Sequence, residues 1–279
     1  MLKTLGLGQI GSRRGLRFGL LAAVVGSVFW IRSGGLDPRL PIGLTSQPCP
    51  PAYSSNGEIV FAVITGDADR RNQRDWANLC AFRAENQTLK AKPPPLAVLI
   101  GDSITAEWLA GDPQLFGQQF VNRGIGGQTS AQVLLRFTQD AANLRPRIIH
   151  VMAGANDIGG YQGPSSVEDI HNSIRAMADI AQANGAVLIL GSITPIHQSK
   201  MQPRVETIGQ IVALNGWLRA LAAQRGGVYA DYHAVLAEPS GALKAAYSID
   251  GVHLNAAGYA AMRPMFDAAI KQAEAKAGE

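Results

Sequence analysis

From residue 95 onward the sequence predicts an α/β fold, a five-stranded parallel sheet with helices on both faces. Three observations carry this. Five short apolar runs follow one another along the chain: "LAVLIG", "FVNRG", "RIIHVMAG", "AVLILGSI" and "GGVYADY". The runs are continuous rather than alternating, the pattern of strands covered on both sides. Helical periodicity fills the gaps between them, and strands that alternate with helices pair in parallel.

Each helical segment has its own apolar side. "TSAQVLLRFTQDAANL" aligns Val133, Leu134, Phe137 and Leu144, and "SVEDIHNSIRAMADIAQAN" aligns Ile170, Ile174, Met177 and Ile180. "VETIGQIVALNGWLRALAAQ" aligns Ile208, Ile211, Trp217 and Leu221, and "NAAGYAAMRPMFDAAIKQAEAKA" closes the chain. Ahead of the sheet, "RDWANLCAFRAENQTLKA" spaces Trp76, Leu79, Phe82 and Leu89 as a helix, ended by "KPPP". "EIVFAVITG" (58–66) reads as a short strand, and "DPRLPIGLTSQPCPPAYSSNG" before it as a linker.

Composition sets the class. At 47% hydrophobic and 16% charged, the 279 residues are those of a globular protein. Residues 1–40 hold Lys3, Arg13, Arg14, Arg17, Arg32 and Arg39 against Asp37, a surplus of five that exceeds the whole chain's +4 and leaves the remainder at −1. No basic face is therefore expected, and no nucleic-acid partner. Basic residues preceding an apolar run at 18–31 have the layout of an export signal. As a helix that run spans about 21 Å, short of a bilayer's hydrocarbon core. A signal peptide fits better than a stable span, although no clear A-x-A cleavage site follows. Membrane attachment through 18–31, with Arg17 and Arg32 at the two interfaces, stays open. The expected division is 1–35 signal or anchor, 36–94 linker and N-terminal extension, and 95–279 the α/β domain, in an exported protein, periplasmic or secreted. In such a compartment Cys49 and Cys80 can pair, and two cysteines at that spacing form no metal motif.

In open parallel sheets the ligand site lies beyond the carboxyl ends of the strands. The residues there are "GDS", "NRGIGGQTS", "GANDIGG", "SITPIHQ" and a long loop holding "SIDGVHLNAAGY". Ser103, where the first strand gives way to a helix, is either an N-cap or a nucleophile. A nucleophile needs a base. His150 falls inside the third strand and reads as a core residue, and His171 lies within a helix, whereas His197, His233 and His253 follow strands. His253 stands three residues after Asp250, so one turn can bring the carboxylate to the imidazole and fix its tautomer. The bland alternative has this pair capping the last helix. "GIGG" offers backbone N–H groups and Asn156 a side-chain amide, donors of the kind an oxyanion requires.

Together, "GDSIT", "NRGIGGQT", "GAND" and "DGVH" resemble, in order and spacing, the four signature blocks of the SGNH hydrolases, also called GDSL esterases. The sequence looks nearest to bacterial lipolytic esterases and the catalytic subunits of platelet-activating-factor acetylhydrolase. The resemblance runs from residue 96 to the C-terminus. It implies a flavodoxin-like, three-layer α/β/α fold in which Ser103 attacks, His253 takes the proton and Asp250 orients it. It further implies an oxyanion hole of the Ser103 and Gly127 amides and the Asn156 side chain, with no metal and no cofactor. Ile104 replaces the eponymous Leu, and Gln128 stands where many relatives carry Asp. No G-x-S-x-G occurs, so the α/β-hydrolase elbow is not supported.

The expected function is a serine esterase acting on a small-molecule, lipid or saccharide ester, with a short acyl group. Its rivals are an O-acetyl esterase or acyltransferase on a cell-envelope polysaccharide, and a non-catalytic carbohydrate- or lipid-binding module. Trp108, Gly159, Gly160 and Tyr161 stand near the site in sequence and are candidates to shape an acyl pocket.

Overall fold

Every residue of Ala97–Gly101, the first strand, is buried, which is why that stretch carries no polar side chain. The structure is a computed structural model and describes residues 75–197 and 207–278. The expected signal at 18–31, the linker, the strand at 58–66 and Cys49 lie outside them. Cys80 is disulfide-bonded.

Among the described residues the chain runs α1 (Arg83–Lys90), β1 (Ala97–Gly101), α2 (Ser103–Gly111), β2 (Phe120–Gly124), α3 (Ser130–Asp140) and β3 (Ile148–Met152). It continues α4 (Ala155–Ile158), α5 (Val167–Ala183), β4 (Val187–Gly191), α6 (Thr207–Gln224), β5 (Val228–Ala230), α7 (Tyr232–Leu236) and α8 (Ala256–Ala277). The sheet has five strands in the order β2-β1-β3-β4-β5, and every pairing is parallel. All five expected strands are present. β1 and β3 are neighbours whose following connections leave in opposite directions, the switch point where such sheets bind ligands.

Successive strand residues face opposite layers. Val98, Ile100, Ile149 and Val151 pack with α3, α5 and α6 on one side. Ala97, Leu99 and Ile148 pack with α2, α7 and α8 on the other. Tyr259 of α8 donates its hydroxyl to Ile104 O at 2.9 Å and so ties α8 to the start of α2. No helix among the described residues is long and apolar enough to cross a membrane.

Two expectations are corrected. Of the helix expected over 74–91, the described residues from 75 onward are helical only at Arg83–Lys90. The Asp75 carboxylate captures the N–H groups of Leu79 and Cys80 at 2.7 and 2.9 Å, and Asn78 adopts a positive φ of 55°, so the segment folds as tight turns instead. Trp108 lines no acyl pocket: it is fully buried, against the rings of His150, Tyr232, Tyr259 and Phe266. Its place on the buried side of α2 follows from helical spacing, which turns it away from Ser103. His150 is the core residue expected. Its Nε2 pairs with Tyr232 Oη at 2.8 Å, and burial pushes its pKa down to about 3, keeping it neutral.

The end of β2 touches α2 directly. A Cβ on Gly124 would fall 2.1 Å from the Ala106 nitrogen and 2.6 Å from the Thr105 carbonyl carbon. Both are backbone atoms, which no side-chain rotation relieves. Gly124→Ala should therefore cost about 3 kcal/mol or more, seen as a fall of several degrees in Tm. An unchanged Tm would mean that α2 does not seat on β2 as described.

Candidate active site

β1 ends at Gly101, and Asp102 caps α2 by accepting the Ile104 N–H at 3.0 Å. Ser103 is thus the first helical residue rather than the cap. Its own N–H has no intrahelical acceptor, and the positive end of the helix dipole lies at its hydroxyl. The N-cap alternative for Ser103 is removed, because Asp102 fills that role.

The loop before α8 is folded around one carboxylate. Asp250 Oδ1 accepts the N–H groups of Val252 and His253 at 2.9 and 2.8 Å. Ser248 Oγ accepts the Gly251 N–H at 2.6 Å. The second oxygen, Oδ2, is left facing His253 Nδ1 at 2.8 Å. The other ring nitrogen, Nε2, lies 3.1 Å from Ser103 Oγ, a contact spanning 150 residues of chain. α8 is capped instead by Asn255, whose Oδ1 accepts the Gly258 N–H at 3.0 Å.

The protonation pattern follows. Burial pushes the Asp250 carboxyl up, but hydrogen bonds from the His253 ring and from the backbone N–H groups of His253 and Val252 outweigh it and hold the group at about 2. An ionised carboxylate only accepts. Nδ1 must therefore carry the proton, and Nε2 is the free acceptor turned toward the Ser103 hydroxyl. The arrangement can take a proton from Oγ as the oxygen attacks an electrophile.

The donor loops sit at the same edge of the sheet. Gly127 has a φ of 74°, a conformation suited to glycine. A Cβ on its neighbour Gly126 would sit 3.8 Å from Ser103 Cβ, so this loop passes beside the hydroxyl. Asn156, in the short α4, donates from Nδ2 to Gln128 O at 2.9 Å, which braces the loop and leaves that nitrogen a second hydrogen. Asp157 next to it accepts from Ser130 N and Oγ at 2.8 and 2.7 Å, locking α4 to the start of α3.

The remaining histidines serve elsewhere. His171 stacks on Trp217 with ring centroids 3.7 Å apart. His233 lies at the start of α7, with its N–H donated to Ser192 Oγ at 2.8 Å. His197 donates its N–H to Gly251 O at 2.7 Å, supporting the Asp250 loop from behind. Gly160 and Tyr161 follow Asn156 as exposed residues, while Gly159 is buried beside them.

Three charged groups at the site were not anticipated. Arg136, fully buried, donates to Gly101 O at 2.9 Å, Arg123 O at 2.7 Å and Gln128 Oε1 at 2.6 Å. One guanidinium thus joins the ends of β1 and β2 to the loop carrying Gly127. Burial lowers its pKa to about 10, so it stays charged at neutral pH. Its signal in the sequence is a charged pair, Arg136 and Asp140, inside an otherwise apolar helix face. Asp102 is raised to about 7 by burial, against the opposing Ile104 N–H and the nearby His253. Glu107, one turn along α2 from Ser103, places Oε1 3.9 Å from His253 Nε2. It is half-buried and raised by desolvation, with His253 acting to lower it and Asp250 to raise it. Its i+4 spacing from Ser103 was the available clue.

Comparison with known proteins gives the family and the fold. A sequence model described as the GDSL-like lipase/acylhydrolase family matches residues 99–261. A provisionally assigned acylhydrolase from Bacteroides fragilis is 33% identical, with a TM-score of 0.67, covering 71% of this chain and 98% of that one. A GDSL-like lipase from Bacteroides thetaiotaomicron is 31% identical over the same shares, with a TM-score of 0.65. A catalytic mutant of an acetylxylan esterase from Geobacillus stearothermophilus shares the fold at 20% identity and a TM-score of 0.52, covering 62% of this chain and 93% of that one. No match was found among curated proteins.

Proposed function

The chain belongs to the GDSL-like lipase/acylhydrolase family and is an enzyme of the carboxylic ester hydrolase type, and from that premise we propose that it is an exported serine esterase acting through an acyl-enzyme on Ser103. One observation carries the reading: the unbroken line from Asp250 Oδ2 through the His253 ring to Ser103 Oγ, at 2.8 and 3.1 Å.

In this mechanism Ser103 Oγ attacks the ester carbonyl carbon while its proton passes to His253 Nε2. The imidazolium is held by the Asp250 carboxylate on its far side. The carbonyl oxygen, now negative, is received by the N–H groups of Ser103 and Gly127 and by the spare hydrogen on Asn156 Nδ2, donors fixed before the reaction begins. Collapse breaks the bond to the alcohol oxygen, which leaves with the proton from Nε2. Water, giving its own proton to Nε2, attacks the acyl-enzyme and releases the acid and Ser103.

Other observations support the finer points. The acetylxylan esterase among the structural relatives acts on an acetyl ester, in keeping with a short acyl group here. Export is supported by the basic n-region and apolar run at the N-terminus and by the disulfide at Cys80, a bond of oxidising compartments.

Ser103→Ala and His253→Ala should each lower kcat for p-nitrophenyl acetate by about four orders of magnitude or more, with Asp250→Asn costing less and all three proteins folded. Near-normal activity in His253→Ala would remove His253 as the base.

A further inference from the structure

A cleft of about 560 Å³ opens between the first turns of α3 and α5. It lies at the catalytic edge of the sheet. Thr129, on its wall, is two residues past Gly127, and the next residue, Ser130, is bonded to Asp157 beside Asn156. Nothing in the acyl-transfer mechanism uses it.

One wall is an exposed aromatic side chain held by a purpose-built turn. Trp76 is 41% exposed, yet its backbone is clamped by glutamines from α3 and the loop before it. Gln132 donates to Trp76 O at 2.7 Å, Gln128 to Ala77 O at 3.0 Å and Gln139 to Leu79 O at 2.6 Å. Gln132 Oε1 simultaneously accepts the Thr129 N–H at 3.0 Å. The segment that the sequence presents as a helix is thus bent into turns and fastened to the loop that carries Gly127. With its backbone held in this way, the exposed indole offers a flat apolar face whose ordering on binding costs only side-chain freedom.

The rest of the lining selects the ligand. Beside Trp76, the polar side chains of Gln162, Asp169, Asn172, Thr129 and Ser165 line the cleft. The lining includes no lysine or arginine and one carboxylate, which disfavours a polyanion. Ala131, Leu134, Pro164 and Ala176 add apolar surface to the lining, but an acyl chain would also cover the exposed Gln162, Ser165, Asp169 and Asn172 without replacing the hydrogen bonds they make to water. A neutral saccharide satisfies both halves, with its C–H face on the indole and its hydroxyls on the amides, hydroxyls and carboxylate.

We infer that this cleft is a saccharide subsite, with Trp76 as its platform, that holds the sugar chain bearing the ester cleaved at Ser103. The inference rests on the esterase reading and names its substrate class: an O-acylated, uncharged oligosaccharide. Asp250 and Glu107 beside His253 are consistent with an uncharged substrate, since they repel an anionic one.

The test compares the full chain with Trp76→Ala and Trp76→Phe on two substrates, p-nitrophenyl acetate and O-acetylated xylotetraose. The ratio of kcat/KM for the acetylated tetrasaccharide to that for p-nitrophenyl acetate should fall about tenfold in Trp76→Ala, the loss expected of a central aromatic anchor. Most of that fall should lie in KM, and Trp76→Phe should recover much of it. An unchanged ratio, or an equal loss on both substrates, overturns the subsite. The Ser103→Ala protein, titrated calorimetrically with unacetylated xylotetraose, should bind saturably, and Trp76→Phe in that background should bind more weakly; no saturable binding also overturns it. Absence of p-nitrophenyl acetate hydrolysis by the unaltered chain would instead count against the esterase reading, and the titration would still judge the cleft by itself.

Discussion

The buried guanidinium of Arg136 is the constraint on which the site's geometry rests. Three acceptors from separate parts of the chain, Gly101 O, Arg123 O and Gln128 Oε1, converge on it. The first precedes Ser103 by two residues, and the last follows Gly127 directly. A catalytic hydroxyl and its oxyanion donors must hold their separation to a fraction of an ångström. Backbone ladders cannot do this beyond the strand ends, where the ladders stop. A planar fork of N–H donors, desolvated and with no competing water, can. Asp140 at 3.4 Å supplies the countercharge, so the cation is buried with a partner rather than alone.

Gln128 extends the same network outward. Its carbonyl accepts from Asn156, its Oε1 from Arg136, and its Nε2 donates to Ala77 O. Where many relatives are expected to carry an acid, this chain has a side chain that accepts and donates at once. A carboxylate could receive the guanidinium but could not also donate to Ala77 O. The residue that looks like a departure is therefore one of three glutamines that join residues 76–79 to the end of the sheet, with Gln132 and Gln139. Three acids surround the base as well. Asp250 is ionised by its hydrogen bonds, whereas Asp102 and Glu107 are raised by burial. For Asp102 the folded state holds a proton that the unfolded chain releases between its ordinary value and about 7. Its contribution to stability accordingly grows as pH falls through that window and is lost as pH rises.

Much of this was legible in the sequence because it depends on local pattern. Strands buried on both faces must be continuous apolar runs, and the chemistry of a parallel sheet must follow their ends. Ser103, Asn156 and the Asp250–His253 turn stood out as candidates under those two rules, and the resemblance to the SGNH blocks implied their roles. What escaped reading depends on contacts across long separations. The turns at 75–82 look helical by apolar spacing, and only the Asp75 side chain, taking two N–H groups, overrides it. Trp108 lies five residues from Ser103 in sequence, but helical geometry sends it into the core. Arg136 and Asp140 were visible as charges on an apolar face, while the carbonyls that satisfy them belong to other strands.

The mechanism turns on a covalent bond between Ser103 Oγ and the acyl group. Mass spectrometry of the acid-quenched protein during turnover of a slowly deacylated ester, followed by peptide mapping, reads that bond directly. An added acyl mass is expected on the peptide containing Ser103 and on no other. Turnover that leaves this peptide unmodified, or an acyl group mapped to a different residue, would contradict it.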